Sequence, residues 1–231
     1  DLRGSDVEGN VAVGGNAFFQ NYSIGITNAA PADALVVGGD LTYAGGTVYG
    51  DVWVVGADNL SANTTLANGG SLNFGALLDF PALQGDLVAL CADLAALPAP
   101  TVTGSGVVTL TGTDPQFNVF RLSAATLDAA NNLVFDVPPT ASVVVVVSGD
   151  PAAMTNMGFQ TNGMPASRIL YALCDATVLT IQGAGPLGSI LAPNADITFN
   201  GGLVTGQIFA TSMTGNGQTD DEAFAGCLRL P

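Results

Sequence analysis

The sequence predicts a mostly β fold in which short strands wind through stacked coils, with one long α-helix beside them. Three observations carry that prediction. Short apolar runs are separated again and again by Gly, Asn, Asp and Pro corners, as in "GSILAPNADITFNGGLVTGQIFA" from Gly188 to Ala210. Similar segments recur at spacings near eighteen residues, for Gly188 and Gly206 as for Val36 and Val54. One segment alone carries apolar residues at helical spacing. Coils of this length suit the rungs of a β-solenoid. The same strand spacing also suits a β-sandwich or barrel.

The repeat is weak but visible once glycines are aligned. "VEGNVAVGGNAF" (Val7 to Phe18), "VYGDVWVVGADNL" (Val48 to Leu60), "PLGSILAPNADI" (Pro186 to Ile197) and "VTGQIFATSMTG" (Val204 to Gly215) share one scheme, and "ALVVGGDLTYAG" (Ala34 to Gly45) is a looser copy. Each has an apolar residue near a Gly, then alternating apolar positions, then a Gly, Ala or Asn corner. Gly and Asn fit such corners because they tolerate positive φ.

"DFPALQGDLVALCADLAALPAP" (Asp79 to Pro100) breaks the scheme. Phe80, Leu83, Leu87, Leu90, Leu94 and Leu97 follow one another at spacings of three and four, which draws one apolar stripe along a helix over about 79–97. Asp79 is placed to cap its start, Pro81 suits the first turn, and Pro98 and Pro100 end it. Cys91, one turn after Leu87, is expected at the seam, and Asp86 and Asp93 on the solvated face. Strands are expected again at Thr101 to Gly112, Phe117 to Leu127, Asn132 to Pro138 and Ala141 to Asp150. The run Val143 to Val147 reads as a central parallel strand buried on both faces. No linker or change of composition divides the chain, so one domain over 1–231 is expected.

Composition excludes more than it names. Charged residues make up 10% of the chain, and Gly is 30 of 231 residues, against roughly 25% and 7% in ordinary domains. There is no His, and Arg3, Arg121, Arg168 and Arg229 are the only cations. That removes His general bases, Ser-His-Asp triads, Schiff-base lysines and the P-loop lysine. A formal charge of -15 repels phosphate backbones and anionic lipid, so neither nucleic acid nor a polybasic membrane mode is expected. No apolar run is long enough to span a membrane. The chain begins at Asp1 without a Met or signal peptide, as a mature or excised fragment would.

Cys91, Cys174 and Cys227 lie far apart with no zinc spacing. One disulfide and one buried thiol is the expected usage, with three buried thiols the alternative, and the spacing does not say which two would pair.

Other candidate chemistry is sparse. Asp220, Asp221 and Glu222 form an acidic cluster that could ligate calcium, although no EF-hand loop or nonapeptide repeat accompanies them and a solvated turn is the more economical reading. Asp6 and Glu8 are a weaker version of the same idea. No cofactor is expected otherwise. Trp53 reads as an inward or wall-lining residue, with a sugar platform as the alternative. Thr180 and Thr198 are eighteen apart and Thr109, Thr111 and Thr113 alternate, but no threonine file persists through successive repeats as an ice-binding face would need. "VVGGD" and "VGGN" lack the spacing of nucleotide loops and read as corners.

"SDVEGNVAVGGNA", the helix end "LAALPA", "FNVFRLSAATL", "SVVVVVSGD" and "GSILAPNADITFNGGLVTGQIFATSMTGNGQ" together resemble the choice-of-anchor A family, in family order from Ser5 to about Cys227. That family consists of bacterial surface domains regarded as adhesive, carried by proteins with differing anchors. More distantly, the order of β-coils, long helix and closing β-coils is similar to the ice-binding-type solenoid. The resemblance implies a right-handed parallel β-helix with the long helix packed along its side. Two departures stand out: relatives usually carry an apolar strand before "DVEG", whereas this chain begins only a few residues ahead of that motif, and their tails are commonly less charged.

The expected function is therefore a non-enzymatic extracellular or cell-surface structural and adhesive module. Its partner, a protein or glycan surface, is not named by the sequence. With the leading strand absent, open solenoid ends are expected to stack head to tail into fibres. Binding of ice or glycan is the alternative function.

Overall fold

The computed structural model describes residues 1–29 and 32–230. It forms two compact units, residues 1–85 with 214–221 and residues 86–213 with 222–231. Two of the boundaries fall inside a helix and inside a strand, and the third in the irregular stretch that follows Thr219.

The first unit is a β-solenoid of four coils, each with three short strands. The coils are β1 (Leu2–Arg3), β2 (Asp6–Val7) and β3 (Val11–Val13); β4 (Ala17–Gln20), β5 (Ser23–Ile24) and β6 (Asp33–Val37); β7 (Leu41–Ala44), β8 (Gly46–Tyr49) and β9 (Asp51–Val54); and β10 (Asp58–Leu60), β11 (Thr64–Ala67) and β12 (Leu72–Phe74). Like strands stack in parallel into three walls, β1-β4-β7-β10, β2-β5-β8-β11 and β3-β6-β9-β12. Leu2 lies beside Phe19, and Leu41 beside Asp58, each pair one coil apart. Val36 pairs with Trp53 and Val37 with Val54. The coil there is one residue shorter than the match of Val36 to Val54 suggests. Between Ala17 and Leu41 it lengthens well beyond that, because the connection from Ile24 to Asp33 is longer than the single Gly50 that joins β8 to β9.

Alternation along each strand sends Ile24, Leu35, Val37, Val48, Val52 and Val54 inward, where all are fully buried. Phe19 stacks between Tyr22 and Tyr43 at 5.9 and 5.2 Å. The buried phenols are satisfied: Tyr22 Oη donates to the carbonyls of Asp6 and Gly217, and Tyr43 Oη to that of Tyr22 at 2.6 Å. Burial pushes the pKa of both phenols well up, so they stay neutral donors. Corners between walls are tight. A Cβ on Gly46, at φ +122°, would sit 1.9 Å from the Tyr22 carbonyl oxygen. Only glycine permits that backbone approach.

The second unit takes most of α1 (Phe80–Ala96) and continues through β13 (Gly106–Thr111), β14 (Phe117–Ser123) and a short α2 (Ala124–Asp128). Next come β15 (Ala130–Asp136), β16 (Ser142–Ser148), β17 (Ala152–Thr155), β18 (Gly158–Gln160), β19 (Ile169–Ala172), β20 (Val178–Gln182), β21 (Ser189–Asn200), β22 (Leu203–Val204) and β23 (Ile208–Gly215). The last strand, β24 (Gln218–Thr219), belongs to the first unit and pairs there with β2. The walls of the second unit are β13-β15-β18, β14-β16-β19-β21 and β17-β20-β21, again all parallel. Its coils are longer than those of the first unit from β14 through β16 to β19, and from β17 to β20. They tighten between β20 and β21, where Thr180 pairs with Thr198. Leu187 bridges to Thr205 at the same spacing, as the expected match of Gly188 to Gly206 requires.

The expected strand over 117–127 stops at Ser123. Its hydroxyl accepts from the Thr126 amide at 3.0 Å and caps α2. A capping Ser followed by Ala-Ala-Thr-Leu favours a helical turn over further extension.

The valine run is central, as predicted. β16 pairs with β14 on one side and β19 on the other. Val143, Val145 and Val147 enter the interior core, while Val144 and Val146 face outward beneath α1. Cys91 and Leu94 of α1, with Leu97 just after it, pack on them and on their wall neighbours Leu170, Ala172 and Leu191. The predicted start holds, since Asp79 Oδ1 accepts from the Ala82 amide at 3.1 Å. The predicted stripe is one flank off at its beginning. Phe80 packs against the corner that holds Gly14 and Gly38, but Leu83 is 42% exposed. The half-buried Gln84 continues the line from Phe80 towards Leu87, Cys91 and Leu94. A polar residue thus holds the position that leucine periodicity assigns to Leu83.

Candidate functional site

A solenoid offers its outer wall faces, and each face is a set of files in which one residue per coil stands beside its neighbour about 4.8 Å away. On the second wall of the first unit, Ser23 and Thr47 immediately precede the buried Ile24 and Val48, which pair across coils. Thr47 pairs with Thr65, and Asp6 with Ser23. The result is an outward file Asp6, Ser23, Thr47, Thr65, with hydroxyls on three successive coils. Sequence spacing missed it because the loop after Ile24 stretches that coil beyond the regular repeat. On the third wall the file is Ala12, Val36, Trp53, Asn73. Trp53 lies on the outside of the wall, its Nε1 donating to Asp33 Oδ1 at 2.8 Å, so of the inward or wall-lining reading only the wall-lining half holds.

On the first wall, Arg3 is ion-paired to Asp1 at 2.8 Å and lies 4.8 Å from the Phe18 ring. The file beside it runs Phe18, Thr42, Asn59. In the second unit Thr180 and Thr198 are direct neighbours, but Ala153 takes the place of a third hydroxyl. Thr109 and Thr111 face outward from β13, beside Val134 and Asp136 of β15.

Among the described residues no three His, Cys, Asp or Glu side chains group as a cation would need. Asp221 lies against Gly9, and its Oδ2 is 3.0 Å from the Thr27 hydroxyl. Asp6 has its pKa raised, first by burial and then by the charge of Asp220, and its Oδ1 is buried with no hydrogen-bond partner. Glu222 belongs to the stretch that returns to the second unit. There the Cys227 amide donates to the buried Ser142 hydroxyl at 2.8 Å, and Phe224 and Leu228 pack on the cluster under α1.

Cys91 and Cys174 form a disulfide that ties α1 to the turn after β19. Cys227 is free and exposed. The expectation of a buried thiol fails at this position because the tail lies across the wall with Phe224 and Leu228 turned in and Cys227 between them turned out.

A shallow groove in the second unit is lined by Leu97, Pro98, Phe117, Asn118 and Arg229 among others. Its polar groups are already engaged: Asp114 Oδ1 accepts from the Gln116 and Phe117 amides, which holds its carboxyl below the usual range, and Arg229 donates to Gln116. Among the described residues no helix is long and apolar enough to cross a membrane.

The sequence family described as "Putative Ice-binding-like adhesive domain" matches residues 1–221. No curated protein matches the chain. Among solved structures, the ice-binding protein from the Antarctic ascomycete Antarctomyces psychrotrophicus is similar at 16% identity and a TM-score of 0.38, over 96% of this chain and 95% of that one. The Shewanella frigidimarina ice-binding protein_1 domain is similar at 14% identity and a TM-score of 0.33, over 95% and 92%. An ice-binding protein from an Antarctic Flavobacteriaceae bacterium is similar at 12% identity and 0.35, over 99% and 81%.

Proposed function

Since the chain belongs to the ice-binding-like adhesive domain family, we propose that it is a non-enzymatic adhesive module that works outside the cell or at its surface. The observation that carries this reading is the make-up of the walls. Parallel strands in register present flat faces of Ser, Thr, Asn and apolar side chains with few charges. Such a face can lie against another flat surface over many coils, while the interior of Val, Leu, Ile and Phe keeps it rigid at roughly 25 cal/mol per Å2 of apolar burial. The disulfide supports an oxidising, extracellular setting.

Adhesion is tested with the purified chain immobilised on beads and offered cells, glycan arrays and abiotic surfaces. Retention above that of an unrelated protein of equal negative charge is expected. Equal retention sinks the proposal.

Ice is the second reading, favoured by the Ser23, Thr47, Thr65 file. Thermal hysteresis that disappears in Thr47→Tyr would support it, and hysteresis absent from the unmutated chain would refute it. Self-association through open coil ends belongs to the same functional picture. A head-to-tail fibre needs two open ends, so the state of each terminal coil decides its form.

A further inference from the structure

The terminal coils of the two units are finished differently. In the second unit the outermost coil, β13 and β14, is finished by its own chain. The segment before it adds to the free edge of β14, with the Arg121 amide donating to the Pro100 carbonyl at 2.9 Å and the Val102 amide to the Arg121 carbonyl at 2.8 Å. The short α2 replaces a third strand and buries Leu127. The inward residues Val108, Leu110, Phe120 and Leu122 are all buried as a result.

The last coil of the first unit has no such cover. Among the described residues, β10, β11 and β12 each pair with a strand on one side only, β7, β8 and β9. Phe74 is the register partner of Val54 and, through it, of Val37. Both valines are fully buried, whereas Phe74 is 62% exposed. Leu77 and Leu78, which follow β12 closely in the chain, are exposed as well. An interior-facing aromatic and three one-sided strand edges form a template for strand addition.

Charge narrows the occupant. The chain carries -15, yet from Asp58 to Leu78 the only charged residue is Asp58. Two strongly anionic copies can therefore meet at this end with little repulsion, although most of the remaining surface opposes contact. We propose that the open coil from Asp58 to Phe74 docks against the same coil of a second copy, giving a closed two-fold dimer. Two identical coils placed end to end wind in opposite senses, so their edges meet antiparallel, a pairing that satisfies strand hydrogen bonds. The patch is used by both partners, which is the isologous arrangement that stops at two. With the β14 edge occupied and α2 in place of a third strand, the outermost coil of the second unit lacks the three-edged template from which a fibre would grow. The contact is independent of what the walls adhere to.

Sedimentation equilibrium on the intact chain, from roughly 1 µM to 1 mM, tests it. The expected result is reversible growth from the 23.1 kDa chain to twice that mass and no further. Phe74→Glu and Leu77→Glu each weaken association by roughly tenfold or more, with unchanged far-UV circular dichroism. Val107→Glu, at an equally exposed site on β13, leaves it intact. A monomer at every concentration, masses that climb past the dimer, or a dimer indifferent to both glutamates would each overturn the proposal.

Discussion

Cys91 on the buried side of α1 and Cys174 just after β19 are joined across 83 residues of sequence. The same helix turn seats Leu94 on Val144 and Val146. The link therefore fixes the helix at the point where it is most deeply packed, and it closes a loop long enough to restrict the unfolded chain strongly.

Replacing both residues, Cys91→Ala with Cys174→Ala, is expected to cost about 2–4 kcal/mol. Differential scanning calorimetry with and without reductant measures it. Reductant should lower the melting temperature of the native chain and leave that of the double variant unchanged, and Cys227→Ser should melt like the native chain.

The contact line of α1 predicts two unequal leucine variants. Leu94→Ala, at a fully buried position, should lose about 2–5 kcal/mol. Leu83→Ala should lose less than about 1 kcal/mol, because its side chain stands clear of the wall. Urea unfolding of both variants separates this helix orientation from the one that leucine spacing alone suggests.

Gly46→Ala should destabilise by more than about 1 kcal/mol, since the added carbon meets the Tyr22 carbonyl at a φ that alanine resists. Gly15→Ala, with nothing within 4 Å of the new carbon, is expected to be nearly silent. Thermal melts of the pair give the contrast.

Carboxylates in this fold pull stability in opposite directions with pH. Asp6 has its pKa raised by burial and by Asp220, so its charged form carries a penalty above the folded pKa that is relieved as pH falls through it. Asp6→Asn should stabilise the chain at neutral pH, by about 0.5 kcal/mol or less given solvent screening, and so raise its melting temperature, and the gain should shrink on acidification. Asp150 behaves in the reverse sense. The Thr177 hydroxyl and the Thr177 and Val178 amides lower its pKa, so its stabilisation is present above the usual carboxylate range and lost as pH falls through the folded value. Asp150→Ala should lower the melting temperature at neutral pH and converge with the native chain in acid. Melting curves from pH 7 down to about 3 would show both trends.

The coil repeat was legible because a strand and its corner are local: alternation buries Val52 and Val54, and a glycine turns the chain at Gly46. The helix start at Asp79 was legible for the same reason. The exposed side of Leu83 was not, since three- and four-residue spacings draw two adjacent stripes and only the wall beneath selects one. α2 escaped notice because so short a helix carries too little periodicity to be seen.

By itself, then, the sequence determined short Gly-cornered strands repeating near eighteen residues, one long capped helix and the exclusion of histidine and lysine chemistry, because these follow from local alternation, local turns and composition; that the strands stack in parallel as a solenoid, not as a sandwich or barrel, came from their pairing. The tertiary structure alone decided that Cys174 meets Cys91, that Ser23, Thr47 and Thr65 share a file, and that Phe74 stands uncovered at the end of its column. The file depends on which residues lie one coil apart, a distance that the long connection after Ile24 changes without leaving a mark on the strands it joins, whereas the disulfide depends on where α1 packs and the exposure of Phe74 on its coil being the last.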